Sequence, residues 1–284
     1  MAPAETLDHH TETAGNGAEA GAEASRQSTV FDALPLTGSV IAITADRRRE
    51  ELANLLQEKG ARTVETPTVR LSPGDEGVVA RRAGDRAAAS RFVEAVLRRD
   101  VHAVTFTTAP GVTGLLEAAA VSGSLDQLLA ALRGDVLPVC LGPACARPLE
   151  AVGVAALSPD KQRFSALVDV LCEQLPPRIR REVRVDAART LVMQGFSAAI
   201  GEYCVTLPPL PAAVLAELAR RPGWVVSRAE LLRRVWDCRD VRGTTGRDEH
   251  AVEATVARLR TALGPASGLV KTVTKRGYRL AVEL

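Results

Sequence analysis

Between residues 190 and 284 the hydrophobic pattern switches from strand to helix and back to strand, and this order constrains the fold more than any other feature. Residues 190–193, 197–200 and 203–206 read as short β segments, the last two separated by a Gly201-Glu202 turn. Helices are predicted over about 209–221, 227–236 and 248–263. Ser227-Arg228-Ala229-Glu230 has capping-box form and starts the second of them. In the third, Val252, Val256, Leu259 and Leu263 recur at helical spacing and define one buried stripe. A strand pair around Thr274-Lys275-Arg276-Gly277 closes the chain, with Tyr278 read as core because one face of that strand must pack inward.

From Gly38 onward a different pattern holds. Val40-Ile41-Ala42-Ile43 is an apolar run of the length of a buried parallel strand. The helix after it puts Leu52, Leu55 and Leu56 on one face and ends at Gly60. Thr63-Val64-Glu65 and Val69-Arg70-Leu71 supply strand material before Pro73-Gly74. Helices follow over 87–99, 111–120, 125–132, 143–152 and 164–175, with strands over 101–107 and 136–141. Strands alternating with helices imply an α/β lobe: a largely parallel sheet covered on both faces. The expected layout is therefore an acidic disordered tail over 1–36, the α/β domain over 37–178, a linker over 179–188 and a second domain over 189–284.

Composition narrows the partners. Aromatic residues are 3% of the chain, so the cores must rest on Ala, Val and Leu. No apolar run approaches the roughly 20 residues of a membrane span, so the expectation is a soluble, cytoplasmic protein with no membrane partner. Cys140, Cys145, Cys172, Cys204 and Cys238 show no C-x-x-C spacing, which argues against a metal site and structural disulfides. Cys140 and Cys145 are close enough in sequence for a redox pair, but two small buried residues are the commoner reading. His9-His10 offers too few ligands for a metal. The net charge of +2 conceals an asymmetry, since residues 179–284 carry 18 basic and 11 acidic side chains and residues 1–36 carry one and six. An anionic polymer would be drawn to the C-terminal part.

The helix over 248–263 turns Ala254, Thr255, Arg258 and Thr261 outward if Val252, Val256 and Leu259 face the core. Short side chains with an arginine beyond them fit the major groove of double-stranded DNA, where arginine can pair with guanine through two hydrogen bonds. Solvated surface charge is the plain alternative for Arg258 and Arg260, and an ordinary basic hairpin for Lys275 and Arg276.

The order of β segments, Arg220-Arg221-Pro222-Gly223-Trp224-Val225-Val226-Ser227-Arg228-Ala229-Glu230-Leu231-Leu232, the helix ending Val256-Ala257-Arg258-Leu259-Arg260, and Thr272-Val273 through Arg276-Gly277-Tyr278-Arg279-Leu280 resembles the OmpR/PhoB winged-helix family. The resemblance implies a C-terminal winged helix-turn-helix in which Ala254, Thr255 and Arg258 face bases and His250 and Arg260 lie near phosphates. It also implies that Lys275 and Arg276 form a wing tip at the minor groove, that the loop 236–247 touches RNA polymerase, and that copies associate on DNA. Helix capping explains His250 as well.

The α/β domain is not a phosphoacceptor receiver by its residues: the strand ending Val104-Thr105-Phe106-Thr107-Thr108 carries no Asp, and Ile43-Thr44-Ala45-Asp46 offers a single acid. Its turns at Phe106-Thr107-Thr108-Ala109-Pro110-Gly111-Val112 and Cys140-Leu141-Gly142-Pro143-Ala144-Cys145-Ala146 are instead similar to uroporphyrinogen-III synthase. The pairing of such a domain with a winged helix resembles actinobacterial regulators, some of which control nitrate and nitrite assimilation. Synthases of this family hold a linear tetrapyrrole between two lobes, whereas one lobe's worth of sequence is missing here. Residues 38–178 also hold no tyrosine. The expectation is a regulator with no catalytic residues and no cofactor, in which Thr107, Thr108, Gly111 and Gly142 either receive a small anionic ligand or simply allow tight turns. Two alternatives stand beside it: a bifunctional protein with synthase activity, and a co-regulator that docks another transcription factor through the α/β lobe.

Overall fold

The computed structural model describes residues 31, 33–45, 48–65, 79–236 and 249–283, with side chains from residue 87 in the helix that begins at Val79. The first sheet contains β1 (Val40–Ile43), β2 (Arg62–Glu65), β3 (Ala103–Phe106) and β4 (Leu137–Cys140) in the order β2-β1-β3-β4. All three pairings are parallel. Between the strands run α1 (Arg49–Glu58), α2 (Val79–Leu97), α3 (Ala109–Val121) and α4 (Leu125–Arg133), and α5 (Pro143–Glu150) and α6 (Phe164–Gln174) follow β4.

The pleat sorts side chains to two faces. Ile41, Ile43, Leu137 and Val139 join Leu52 and Leu56 of α1 and Leu167 and Leu171 of α6 in one core. Val40, Ala42, Val104 and Phe106 face the other way, onto Phe92 and Val96 of α2, Val112 and Leu115 of α3, and Leu149 of α5. This two-sided burial is why the strands read as continuous apolar runs. The Val69-Arg70-Leu71 segment expected as strand falls outside the described residues.

The short helix α7 (Pro176–Ile179) leads directly into a four-stranded antiparallel sheet, β5 (Arg180–Arg184), β6 (Thr190–Gln194), β7 (Ser197–Ile200) and β8 (Tyr203–Thr206), in chain order. The expected linker over 179–188 is therefore largely edge strand and hairpin. Val183 and Val185 point inward while Arg180, Glu182 and Arg184 fill the solvent side, a charged pattern typical of an edge strand that reads as a linker in sequence. The expected tail over 1–36 also needs correction at its end: Phe31 packs on Val192 and Ala199, and Leu36 is fully buried beside α1 and α6. Residues 1–30 lie outside the described ones.

The remaining unit comprises α8 (Pro209–Leu218), α9 (Arg228–Leu231) continued by a π turn over Leu232–Trp236, α10 (Glu249–Leu263), a 3-10 segment over Gly264–Leu269, and the antiparallel pair β9 (Val270–Val273) and β10 (Gly277–Leu280). Its core is continuous with that of the α/β lobe through Met193 and Phe196 of the β6–β7 hairpin. At this seam Phe196 N–H donates to Gly38 O at 2.8 Å, and Gln194 Nε2 donates to Pro35 O and Thr37 O at 2.9 Å each. Gly38 has φ +78, and a Cβ there would lie 2.1 Å from Gln194 O, so only glycine lets the two backbones approach this closely.

Candidate nucleic-acid interface

Val252, Val256, Leu259 and Leu263 seat α10 in the core at 1% exposure or less, leaving His250, Glu253, Ala254, Ala257, Arg258 and Thr261 along the solvent side. Thr255 is a correction: it is fully buried and its Oγ1 donates to Ala251 O at 2.8 Å. A hydroxyl that can bond to the preceding turn tolerates the core edge, and one residue's rotation from Ala254 suffices to turn it inward. Arg258 is exposed, with Nε donating to Ala254 O at 3.3 Å, so its guanidinium lies along the open face.

Arg260, expected near phosphates, is engaged within the protein. Its Nε and Nη2 donate to Val270 O at 3.0 and 2.8 Å, and Nη2 also reaches Thr272 Oγ1 at 2.8 Å. A half-buried carbonyl needs a donor, and Arg260 supplies it, fixing the angle between α10 and β9. Tyr278, buried as expected at 4% exposure, lies beneath the guanidinium groups of Arg260 and Arg228, at 5.9 and 5.5 Å from the ring centre. Arg228 Nη2 pairs with Glu253 at 3.1 Å, so one arginine ties α9, α10 and the wing together. The Ser227 cap is present: its Oγ accepts from Glu230 N–H at 3.1 Å.

The wing places Lys275 and Arg276 at the exposed tip of the β9–β10 hairpin, as the sequence implies. Lys275 has φ +60, a left-handed conformation in a residue with a Cβ. Gly277 at φ +134 lets the strand pass Val226, whose carbonyl oxygen would stand 2.1 Å from a Cβ. The structure adds Lys271 and Arg279, paired across β9 and β10, to the same hairpin. Arg279 stood inside the motif, but nothing in its spacing separated a solvent-side cation from a core neighbour. His250 is exposed in the first turn of α10, 3.6 Å from Glu253. Residues 237–248, most of the loop assigned to RNA polymerase, lie outside the described residues.

The α/β candidates occupy adjacent strand ends, since Leu141 N–H donates to Phe106 O at 2.8 Å. Thr108 is exposed and caps α3, accepting from Gly111 N–H at 3.3 Å, and Thr107 is half-buried. Gly111 is buried within α3, and Gly142 is buried beneath the Gln162 side chain. Cys140 and Cys145 form a hydrogen-bonded pair behind this turn. That bond and burial push the Cys140 thiol up, while the same bond, opposed by burial and aided by the Leu141 N–H, lowers Cys145.

Comparison with known proteins assigns each region. Residues 28–202 match the family described as uroporphyrinogen-III synthase HemD, and residues 202–280 match that described as transcriptional regulatory protein, C terminal. The first match spans more than half of the chain, which thus belongs to the uroporphyrinogen-III synthase HemD family; its C-terminal unit is a winged helix of the OmpR/PhoB type. The border falls in the β7–β8 turn, inside the four-stranded sheet rather than before it. The chain is 44% identical over 77 residues to the transcriptional regulatory protein AfsQ1 of Streptomyces coelicolor, covering 26% of this chain and 32% of that protein. It is 40% identical over 76 residues to the transcriptional regulatory protein CseB of the same species, covering 27% and 30%. The chain thus spans about a third of the length of the curated relatives it matches. Among solved structures, it is similar to the DNA-binding domain of CpxR from E. coli, at 27% identity, 37% coverage of this chain, 99% of that chain and TM-score 0.29. It is also similar to the Thermus thermophilus uroporphyrinogen III synthase, at 26% identity, 48% and 51% coverage and TM-score 0.27.

Proposed function

We propose that the protein is a cytoplasmic, sequence-specific DNA-binding transcriptional regulator whose HemD-like lobe serves sensing or association rather than catalysis. The observation that carries this reading is the open face of α10, where Ala254, Ala257 and Arg258 stand exposed beside a wing bearing Lys271, Lys275 and Arg276. In this reading Ala254 and Arg258 meet base edges, and His250 and the wing cations meet phosphates. Thr255 and Arg260 act differently, holding the helix in the core and against the wing. RNA polymerase and a second regulator are partners on the DNA, where copies of the protein self-associate. Nitrate and nitrite assimilation is the regulon suggested by the domain pairing.

Binding of labelled promoter DNA, followed by anisotropy, should weaken steeply with salt. About four phosphate contacts would give a log–log slope near −3.6. Binding independent of salt would remove the wing from the interface.

The HemD match favours one second reading, retained synthase activity. Against it stand the single parallel sheet preceding the antiparallel one among the described residues, and the lack of any tyrosine in residues 38–178. One lobe supplies one wall, and ring closure requires a substrate held on both sides. Incubation with hydroxymethylbilane should give the spontaneous type I product alone. Type III product would establish a bifunctional enzyme.

A further inference from the structure

A cleft runs along the seam between the α/β lobe and the winged helix, in two chambers of about 220 and 300 Å3. Both are bounded by His102, Arg181 and Gly195. His102 comes from the lobe, just before β3, and its ring packs on Phe196 with centres 4.3 Å apart. Its Nδ1 accepts the Val40 N–H at 3.0 Å, which fixes the ring against β1. Leu215 and Ala216 bring α8 to the opposite wall. Together the chambers approach the size of small-metabolite sites.

The two chambers differ in charge. In the larger one every cation except the shared Arg181 has a partner: Arg99 pairs with Asp135 at 3.0 Å, and Arg220 and Arg234 both pair with Glu217. The smaller is lined by Arg178, Arg180 and Arg181 and by no carboxylate. Arg180 pairs with Glu182 at 2.8 Å. Arg178 and Arg181 have no ion-pair partner among the described residues. Cations scattered on a convex surface are ordinary, but two uncompensated guanidinium groups in one concave chamber raise the local potential and are shaped for paired hydrogen bonds to oxyanions.

We propose that this cleft is a binding site for a small organic polyanion bearing carboxylate or phosphate groups, held by Arg178 and Arg181 between the α/β lobe and α8. The ligand bridges the two units, because its walls belong to both. The site rests on the cavity and its charges. Its meaning as a control point rests on the DNA-binding reading above, and the test needs no DNA, so the two can fail separately.

Citrate and pyrophosphate serve as carboxylate and phosphate probes, each titrated into the full-length protein and followed by thermal unfolding at constant ionic strength. At least one should raise the midpoint saturably by about 2–4 °C, the size expected of ligand linkage in a chain this long. The rise should persist in Arg258→Ala, which leaves the cleft intact, and vanish in the Arg178→Ala/Arg181→Ala double variant. Should the double variant fail to fold, the single variants Arg178→Gln and Arg181→Gln are each expected to weaken the probe about tenfold. The relative response to the two probes distinguishes a carboxylate from a phosphate ligand. No shift with either probe, or equal shifts in wild type and the arginine variants, would overturn the site.

Discussion

The strand ends of the α/β lobe and the open face of the winged helix treat their polar groups in opposite ways. In the lobe, Thr44 Oγ1 donates to Thr105 O at 2.8 Å, Thr105 Oγ1 to Ala42 O at 3.2 Å, Thr108 caps α3, and Gln162 lies over Gly142. The two buried threonine hydroxyls are thus satisfied by backbone carbonyls of neighbouring strands. On the winged helix, Lys271, Lys275, Arg276 and Arg258 have no carboxylate partner among the described residues. At these turns the described groups bond within the lobe, while cations without a carboxylate partner lie on α10, on the wing and in the seam cleft. Resemblance of a motif therefore locates a fold, and the state of its polar groups indicates whether a partner can still be received there.

The comparison can be broken most directly at the wing. Gly277→Ala would press a methyl group against Val226 O and strain a positive φ, at a cost of roughly 3 kcal/mol. DNA affinity should fall with it while the lobe's secondary structure persists; circular dichroism and anisotropy together test this. Unchanged stability would mean that the strand shifts freely past Val226. A smaller effect is expected at Glu217, 7% exposed and flanked by Arg220 and Arg234. Glu217→Ala should cost about 2 kcal/mol in urea unfolding, less than breaking a fully buried pair because both arginines reach solvent.

The smallest effect concerns the β5–β6 hairpin. Asp186 is held below its ordinary pKa first by the Arg189 guanidinium and then by the Arg189 and Ala188 N–H groups, with desolvation opposing them. A depressed carboxyl contributes stability above its unfolded value near 4 and loses it as pH falls through its folded value. Asp186→Asn should thus reduce stability at pH 7 by less than about 1 kcal/mol and narrow the wild-type advantage toward pH 2. A constant difference across that range would exclude the charge as the cause.

Much of this was legible in the sequence. Continuous apolar runs exposed the parallel sheet, and the spacing of Val252, Val256, Leu259 and Leu263 located α10 and its buried stripe. Ser227 and Tyr278 stand as their sequence context implied. Four features were hidden for physical reasons. β5 is a charged edge strand whose ladder bonds have no sequence period of their own. Thr255 sits at the border of the buried stripe, where polarity suggested the wrong side. Arg260 has the same composition signal as Arg258, and only the position of Val270 O shows that one braces the wing while the other remains open. The seam cleft was invisible because Arg178 and Arg181 meet His102 only through the tertiary fold.

The central claim is that the open face of α10 reads DNA sequence. Genomic fragments captured by the purified protein should be sequenced alongside those captured by Arg258→Ala. A small set of enriched promoters is predicted for the wild type, with the ranking of sites lost in the variant as about 1–3 kcal/mol of base discrimination disappears. The same ranking in both proteins, or uniform capture by both, would contradict the account.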